Sequence, residues 1–165
     1  MTSPIVRDAT VEDVPGMLEI YRPIVTDTPV SFELEPPTLE EFTERFSRIT
    51  ESDPWLVAVQ DGSIAGYAYA SEWRARPAYV ATRETTVFVH HDHQRKGIAR
   101  LLMTELLTRL TAAGAHVVVA GVTLPNGASV SLHEGLGFEH VGTYSEVGRK
   151  FDRWHDVGFW ALRLS

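Results

Sequence analysis

Glu84-Thr-Thr-Val-Phe-Val-His90, then His91-Asp-His-Gln94-Arg-Lys-Gly97-Ile-Ala99, then a leucine-rich run to Ala113: this stretch decides the fold. Thr85, Val87 and Val89 fall on one face of an extended segment and Thr86, Phe88 and His90 on the other; Thr, Val and Phe favour that conformation. After Ala99 the period lengthens. Ile98, Leu101, Leu102, Leu106 and Leu110 recur three or four apart, the spacing of a helix with one buried face, which Glu105 and Arg109 narrow at its edge. A basic loop with one glycine joins strand to helix. Such a junction offers unpaired backbone N–H groups, the positive end of a helix dipole and, here, the side chains of Arg95 and Lys96, a combination suited to an oxyanion.

Working outward, Ile5-Val-Arg7 reads as a short strand, and Thr10 with Asp13 as the opening of a helix that buries Val14, Met17, Leu18 and Tyr21. Pro23 is expected to end that helix near Tyr21 to Ile24, leaving residues 24–37 as a long loop around Val30 and Phe32. Thr38-Leu-Glu-Glu41 is a capping box that starts a second helix through Phe42, Phe46 and Ile49, stopped by Asp53-Pro54. Residues 55–60 and 64–70 are strands joined by Asp61-Gly62, a hairpin signal because both residues tolerate positive φ. A polar-aromatic connection with Trp73, Arg74, Arg76, Pro77 and Tyr79 leads to a strand beginning at Glu84. After the central helix, Gly114 caps; residues 116–122 form a buried strand, 128–134 a short helix, 138–144 a strand, 147–152 a loop and 154–163 a final strand. The order β-α-α-β-β-β-α-β-α-β-β fits an α/β domain with a mixed sheet and helices on both faces. Three consecutive strands exclude a doubly wound dinucleotide fold.

A chain of 165 residues with 44% hydrophobic and 22% charged residues suits one domain, residues 1–165, with a substantial core. The formal charge of −7 argues against a nucleic-acid partner held by bulk attraction to phosphate. With no cysteine there is no thiol nucleophile, disulfide or thiolate metal site. Residues 1–7 show no basic region followed by an apolar stretch and no apolar run approaches ~20 residues, so no signal peptide, no membrane partner and a cytoplasmic protein are expected. His90, His91 and His93 are close in sequence, but the first two face opposite ways if extended, so no metal site is expected.

Gln94-Arg-Lys-Gly97-Ile-Ala99 is neither a dinucleotide fingerprint nor a Walker A loop. It resembles the signature of the GNAT superfamily of N-acetyltransferases, Gln/Arg-x-x-Gly-x-Gly/Ala after the fourth strand, with Gln94, Gly97 and Ala99 in place. The second signature is present in Asn126, Ser129, His133 and Gly137-Phe138, with His133 where the superfamily usually has Tyr. Trp73-Arg-Ala-Arg76, Ala78-Tyr79, Glu84, Leu124-Pro-Asn126, His133-Glu134 and Trp154-His-Asp-Val-Gly-Phe-Trp160 resemble the phosphinothricin or methionine sulfoximine acetyltransferases, from Ile5 almost to the C-terminus.

That resemblance implies an acyl-CoA N-acyltransferase fold: a mostly antiparallel sheet of about seven strands, splayed between strands 4 and 5. It implies acetyl-CoA as co-substrate. The pyrophosphate would lie on Arg95, Lys96, Gly97, Ile98 and Ala99, with Gln94 also binding the coenzyme, and the pantetheine along Phe88, Val89 and His90, with Asn126 and Ser129 nearby. Glu84 would take the amine proton, directly or through water, while His133 could serve as acid, base or coenzyme contact. Phe32, Arg74, Arg76, Tyr79 and Thr86 are the expected acceptor-binding residues, since an Arg fork suits a carboxylate; Arg149 and Lys150 are a second, less favoured basic source. A homodimer completing its sites across the interface is also implied. The leading expectation is direct acetyl transfer to a glutamate-like amino acid; another amine or peptide acceptor and a non-catalytic acyl-CoA sensor are the alternatives.

Overall fold

The structure, a computed structural model, describes residues 2–164. Seven strands, β1 (Ile5–Asp8), β2 (Trp55–Gln60), β3 (Ser63–Glu72), β4 (Thr82–Val89), β5 (Val117–Leu124), β6 (Glu139–Lys150) and β7 (Arg153–Arg163), form one sheet in the order β1-β2-β3-β4-β5-β7-β6. Every neighbouring pair is antiparallel except β4–β5. Helices α1 (Val14–Asp27) and α2 (Leu39–Thr50) cover one face; α3 (Ile98–Ala112) and α4 (Gly127–Gly135) cover the other. The expected mixed sheet with helices on both faces is the one observed.

Each face has its own core. On one side Tyr21, Phe42, Phe46, Trp55 and Tyr67 interlock; the Phe46 and Trp55 rings meet edge-on at 5.1 Å. On the other, α3 presents Ile98, Leu102, Met103, Leu106 and Leu110 to Leu56, Ala58, Ala68 and Val118. Leu101 was expected in this stripe, but it is 41% exposed and Met103 is buried instead. At 100° per residue, 103 lies closer than 101 to the arc set by 102, 106 and 110.

Two boundaries differ from expectation. Pro23 does not end α1, which runs on to Asp27. Pro23 and Glu19, whose carbonyl loses its helical partner, are both exposed, so the proline ring sits on the solvent side while Val25 is buried. Residues 147–150 are not a loop. They extend β6, which pairs with β7 through Lys150↔Arg153, and only Phe151 and Asp152 make the turn, both with positive φ. Glu146, φ 53°, sits where the register shifts between Tyr144 and Gly148.

The β4–β5 pairing matters most for the site. It comprises Thr82↔Val117, Arg83↔Val118 and Glu84↔Val119, and then stops. Beyond it β4 stays paired with β3, through Gly66↔Val89, and β5 with β7, through Leu124↔Asp156. Each wall of the resulting slot is thus held by its outer neighbour, leaving the expected splay between strands 4 and 5.

Candidate active site

The slot encloses ≈ 140 Å³ between Thr85–Phe88 on β4 and Ala120–Thr123 on β5, closed by Val30 on one side and by Asn126, Ser129 and His133 on the other. Its β4 edge carries hydrogen-bonding groups without a strand partner. His90 N–H donates to the Ala65 carbonyl at 2.8 Å, so His90, and by alternation Phe88 and Thr86, direct their backbone groups toward β3. Thr85, Val87 and Val89 therefore direct theirs into the slot. Of the three residues expected along an extended ligand, only Val89 directs its backbone groups into the slot. The Phe88 ring lies in the α1 core, 5.5 Å from the Tyr21 ring.

At the slot's mouth the chain turns through a 3-10 turn (His91–His93) into α3. Arg95 has φ 60° and Gly97, the N-cap, has φ 78° and ψ 6°. Two left-handed residues in three turn the backbone tightly in front of the α3 N-terminus, whose first amides have no intrahelical acceptor. A Cβ on Gly97 would meet nothing within 4 Å, so glycine is required there by dihedral angle, not by crowding. Gln94, Arg95 and Lys96 are exposed, and Lys96 Nζ folds back on the Asp92 carbonyl at 2.9 Å. The loop and helix start suit a diphosphate.

Glu84 is the third residue of β4 rather than its first, at the last paired position before the slot opens. It shares the face of Thr86 and Phe88, toward α1 and α2. Burial raises its pKa above the usual carboxylate value, and the Arg74 charge opposes the rise. A half-buried carboxylate of raised pKa is a better proton acceptor than a free one. His133 reaches the slot from α4 and is 4% exposed. Its Nδ1 lies 2.8 Å from the Ser129 carbonyl, which can only accept, so Nδ1 carries a proton. Burial lowers its pKa, with the Ser129 carbonyl opposing, so the ring is neutral near pH 7 and Nε2 bears a lone pair. Asn126 caps α4 by accepting from Ser129 N–H at 3.1 Å, which leaves its NH₂ group for another partner.

The chain between α1 and α2 closes the Glu84 side of the slot. Val30 lines it, and the residues after it are held from two directions. Glu33 accepts from Arg45 at 2.6 and 3.2 Å and from the Tyr21 hydroxyl at 2.6 Å; burial and Glu33 push the Tyr21 pKa up to about 12. From the β6–β7 hairpin, Lys150 Nζ donates to the Ser31 carbonyl at 2.7 Å, and Phe32 packs on Gly148, where no Cβ would fit. Nothing in the sequence marked Tyr21, Glu33, Arg45 and Lys150 as neighbours; they lie far apart in the chain and meet only through packing of helix, loop and hairpin.

The expected arginines are placed differently. Arg74 and Arg76 are exposed and line a second cleft of ≈ 280 Å³ with Asp53, Glu72, Val80 and Arg83; it shares no residue with the slot lining. Arg74 stacks on Trp73 at 4.7 Å and Tyr79 meets Trp73 edge-on at 5.2 Å. Of the expected acceptor residues, Thr86 lines the slot, Phe32 packs on Gly148 and His155 outside the slot lining, and the Arg74–Tyr79 segment connects to the site through the charge of Arg74 on Glu84. His90 and His91 do not face opposite ways. β4 ends at Val89, and their rings stack at 4.3 Å with Asp92 close by.

A slot opened by an interrupted parallel strand pair, fronted by a left-handed glycine at a helix N-terminus, defines a class of acyl-transfer protein. The profile of the "Acetyltransferase (GNAT) family" matches residues 16–138, and the chain belongs to that family of acetyltransferases. It is 44% identical over 155 residues to a phosphinothricin N-acetyltransferase of Streptomyces viridochromogenes, covering 94% of this chain and 85% of that one. It is 38% identical over 161 residues to an L-methionine sulfoximine/L-methionine sulfone acetyltransferase of Pseudomonas aeruginosa, covering 96% and 94%. The crystal structure of a phosphinothricin acetyltransferase from Sinorhizobium meliloti in complex with acetyl-CoA superposes with a TM-score of 0.96 at 36% identity, covering 99% and 90% of the two chains.

Proposed function

We propose that this acetyltransferase moves the acetyl group of acetyl-CoA to the α-amine of a glutamate-like amino acid of the phosphinothricin or methionine sulfoximine type. The observation that carries the reading is the position of Glu84. A half-buried carboxylate stands where β4 and β5 part, beside a slot whose β4 edge has free backbone groups. Relatives named for these acceptors match over nearly the whole chain, which supports the acceptor class.

In this reading the coenzyme thioester supplies an activated carbonyl carbon, and direct attack forms the C–N bond as the C–S bond breaks. Thr85, Val87 and Val89 pair with the pantetheine amides, and the Arg95–Ala99 turn binds the diphosphate. Glu84 receives the proton lost by the amine, directly or through a water. His133, neutral with its Nδ1 proton committed to Ser129, accepts a hydrogen bond at Nε2 and does not protonate the leaving sulfur. Arg74 and Arg76 take the acceptor's α-carboxylate. A cytoplasmic homodimer belongs to the same reading; the exposure of Tyr144, Val147, Phe151 and Trp154 on and beside the edge strand β6 supports it. Among the described residues no helix is long and apolar enough to cross a membrane.

The test is thiol release from acetyl-CoA across a panel of amino acids, amines and peptides, with mass detection of the product. Saturable acetylation of phosphinothricin or methionine sulfoximine, with glutamate poor, is expected. Acetylation confined to peptides or unrelated amines would overturn the acceptor assignment.

A further inference from the structure

We infer that Lys150 is a specificity-determining residue that reads the distal anionic group of the acceptor. The inference rests on the amino-acid acetyltransferase reading above. Lys150 closes β6 and is 4% exposed, unusual for a lysine. One of its three N–H donors goes to the Ser31 carbonyl at 2.7 Å, and its ammonium lies 5.3 Å from the Phe151 ring. Ser31 sits between Val30, which lines the slot, and Phe32, which packs on Gly148. The ammonium is therefore bonded to the residue that follows the slot-lining Val30.

Its charge is not balanced. The carboxylate that acts on Lys150 is Glu33, and both Glu33 oxygens are already taken by Arg45, one also by Tyr21. Tyr21 stays protonated, so the cluster holds two cations against one carboxylate. A buried ammonium that shares its nearby carboxylate is costly; burial lowers the Lys150 pKa, and the charge of Glu33 opposes that only in part. An acceptor that brings an anion to this cluster restores the balance, and a neutral head group does not. Phosphinothricin carries a phosphinate at its distal end, and methionine sulfone an uncharged sulfone. Lys150 thus favours the first over the second, separately from any grip that Arg74 and Arg76 have on the α-carboxylate common to both.

A plain strut between the hairpin and the loop would affect both acceptors alike, so the readout is the ratio of kcat/KM for phosphinothricin over methionine sulfone in the full chain. Lys150→Met should lower that ratio about 10- to 100-fold, mainly through KM, and Lys150→Arg should keep it within about threefold of wild type. Glu33→Gln removes the local carboxylate and should raise the ratio by about threefold or more. An unchanged ratio in Lys150→Met overturns the inference. Should that variant not fold, an unchanged or lowered ratio in Glu33→Gln overturns it. If the wild type acetylates neither amino acid, the acceptor reading fails and the inference falls with it; use of both with a ratio insensitive to these changes rejects Lys150 alone.

Discussion

Replacing Gly97 by alanine separates the shape of the diphosphate loop from its charge. The residue is the N-cap of α3 with φ 78° and ψ 6°, and an added Cβ would touch nothing within 4 Å. The penalty is therefore one of backbone conformation alone. A left-handed L-residue costs roughly 1–2 kcal/mol, offset in part by the smaller entropy of the unfolded alanine chain, which leaves about 1 kcal/mol. For a domain of this size that lowers Tm by about 2–4 °C. If the loop relaxes away from the left-handed form to escape this cost, its amides turn away from the ligand. The acetyl-CoA KM should then rise more than kcat falls. Asparagine tolerates left-handed φ better, so Gly97→Asn should lie between alanine and wild type on both measures. Calorimetry with steady-state kinetics makes the comparison. An alanine variant with unchanged Tm and unchanged KM would refute the need for a left-handed residue here.

Other perturbations follow from packing and protonation. Leu106→Ala, at a fully buried position, should cost about 2–5 kcal/mol, whereas Leu101→Ala, expected in the same stripe but exposed, should cost well under 1 kcal/mol; urea denaturation distinguishes them, and equal costs would contradict the observed face of α3. His133 has a folded pKa below its ordinary 6.5, so the unfolded chain binds more protons and stability is lost as pH falls from about 6.5 through the folded value. His133→Gln should weaken that acid loss when denaturation midpoints at pH 7.5 and 5.5 are compared with wild type. Identical pH dependence would mean that the ring is not held neutral. Glu84 has the opposite displacement for an acid: its folded pKa is raised, the native state binds the extra proton, and its contribution to stability falls as pH rises from 4.5 through the folded value. Glu84→Gln should therefore be more stable relative to wild type at pH 7 than at pH 4, checked by the same denaturation series.

Much of the architecture was legible because local chemistry and tertiary structure agree. Thr38 and Glu41 form their reciprocal cap, with Glu41 N–H donating to Thr38 Oγ1 at 3.1 Å and Thr38 N–H to Glu41 Oε2 at 3.0 Å. Asp61 and Gly62 supply the two positive φ angles of the β2–β3 turn. The equivalent turn between β6 and β7 was missed because Phe151 and Asp152 occupy it, and a bulky residue at positive φ is no turn signal. Pro23 misled because its effect depends on whether its side of the helix faces water. The site divides in the same way. Gly97 and Asn126 stand at the starts of two helices, which turn and capping chemistry mark in the sequence, whereas Glu84 within β4 and His133 in the last turn of α4 were singled out by resemblance. The Tyr21–Glu33–Arg45 contacts and the burial of Lys150 depend on a loop folding between a helix pair and a hairpin, and no periodicity encodes that meeting.

The most direct measurement is turnover of Glu84→Gln with methionine sulfone or phosphinothricin at saturating acetyl-CoA, alongside acetyl-CoA affinity by calorimetry. Turnover should fall by about 10²- to 10⁴-fold with affinity for the coenzyme within about threefold of wild type. Near-normal turnover, or a loss confined to coenzyme binding, would contradict the role of Glu84 as acceptor of the amine proton.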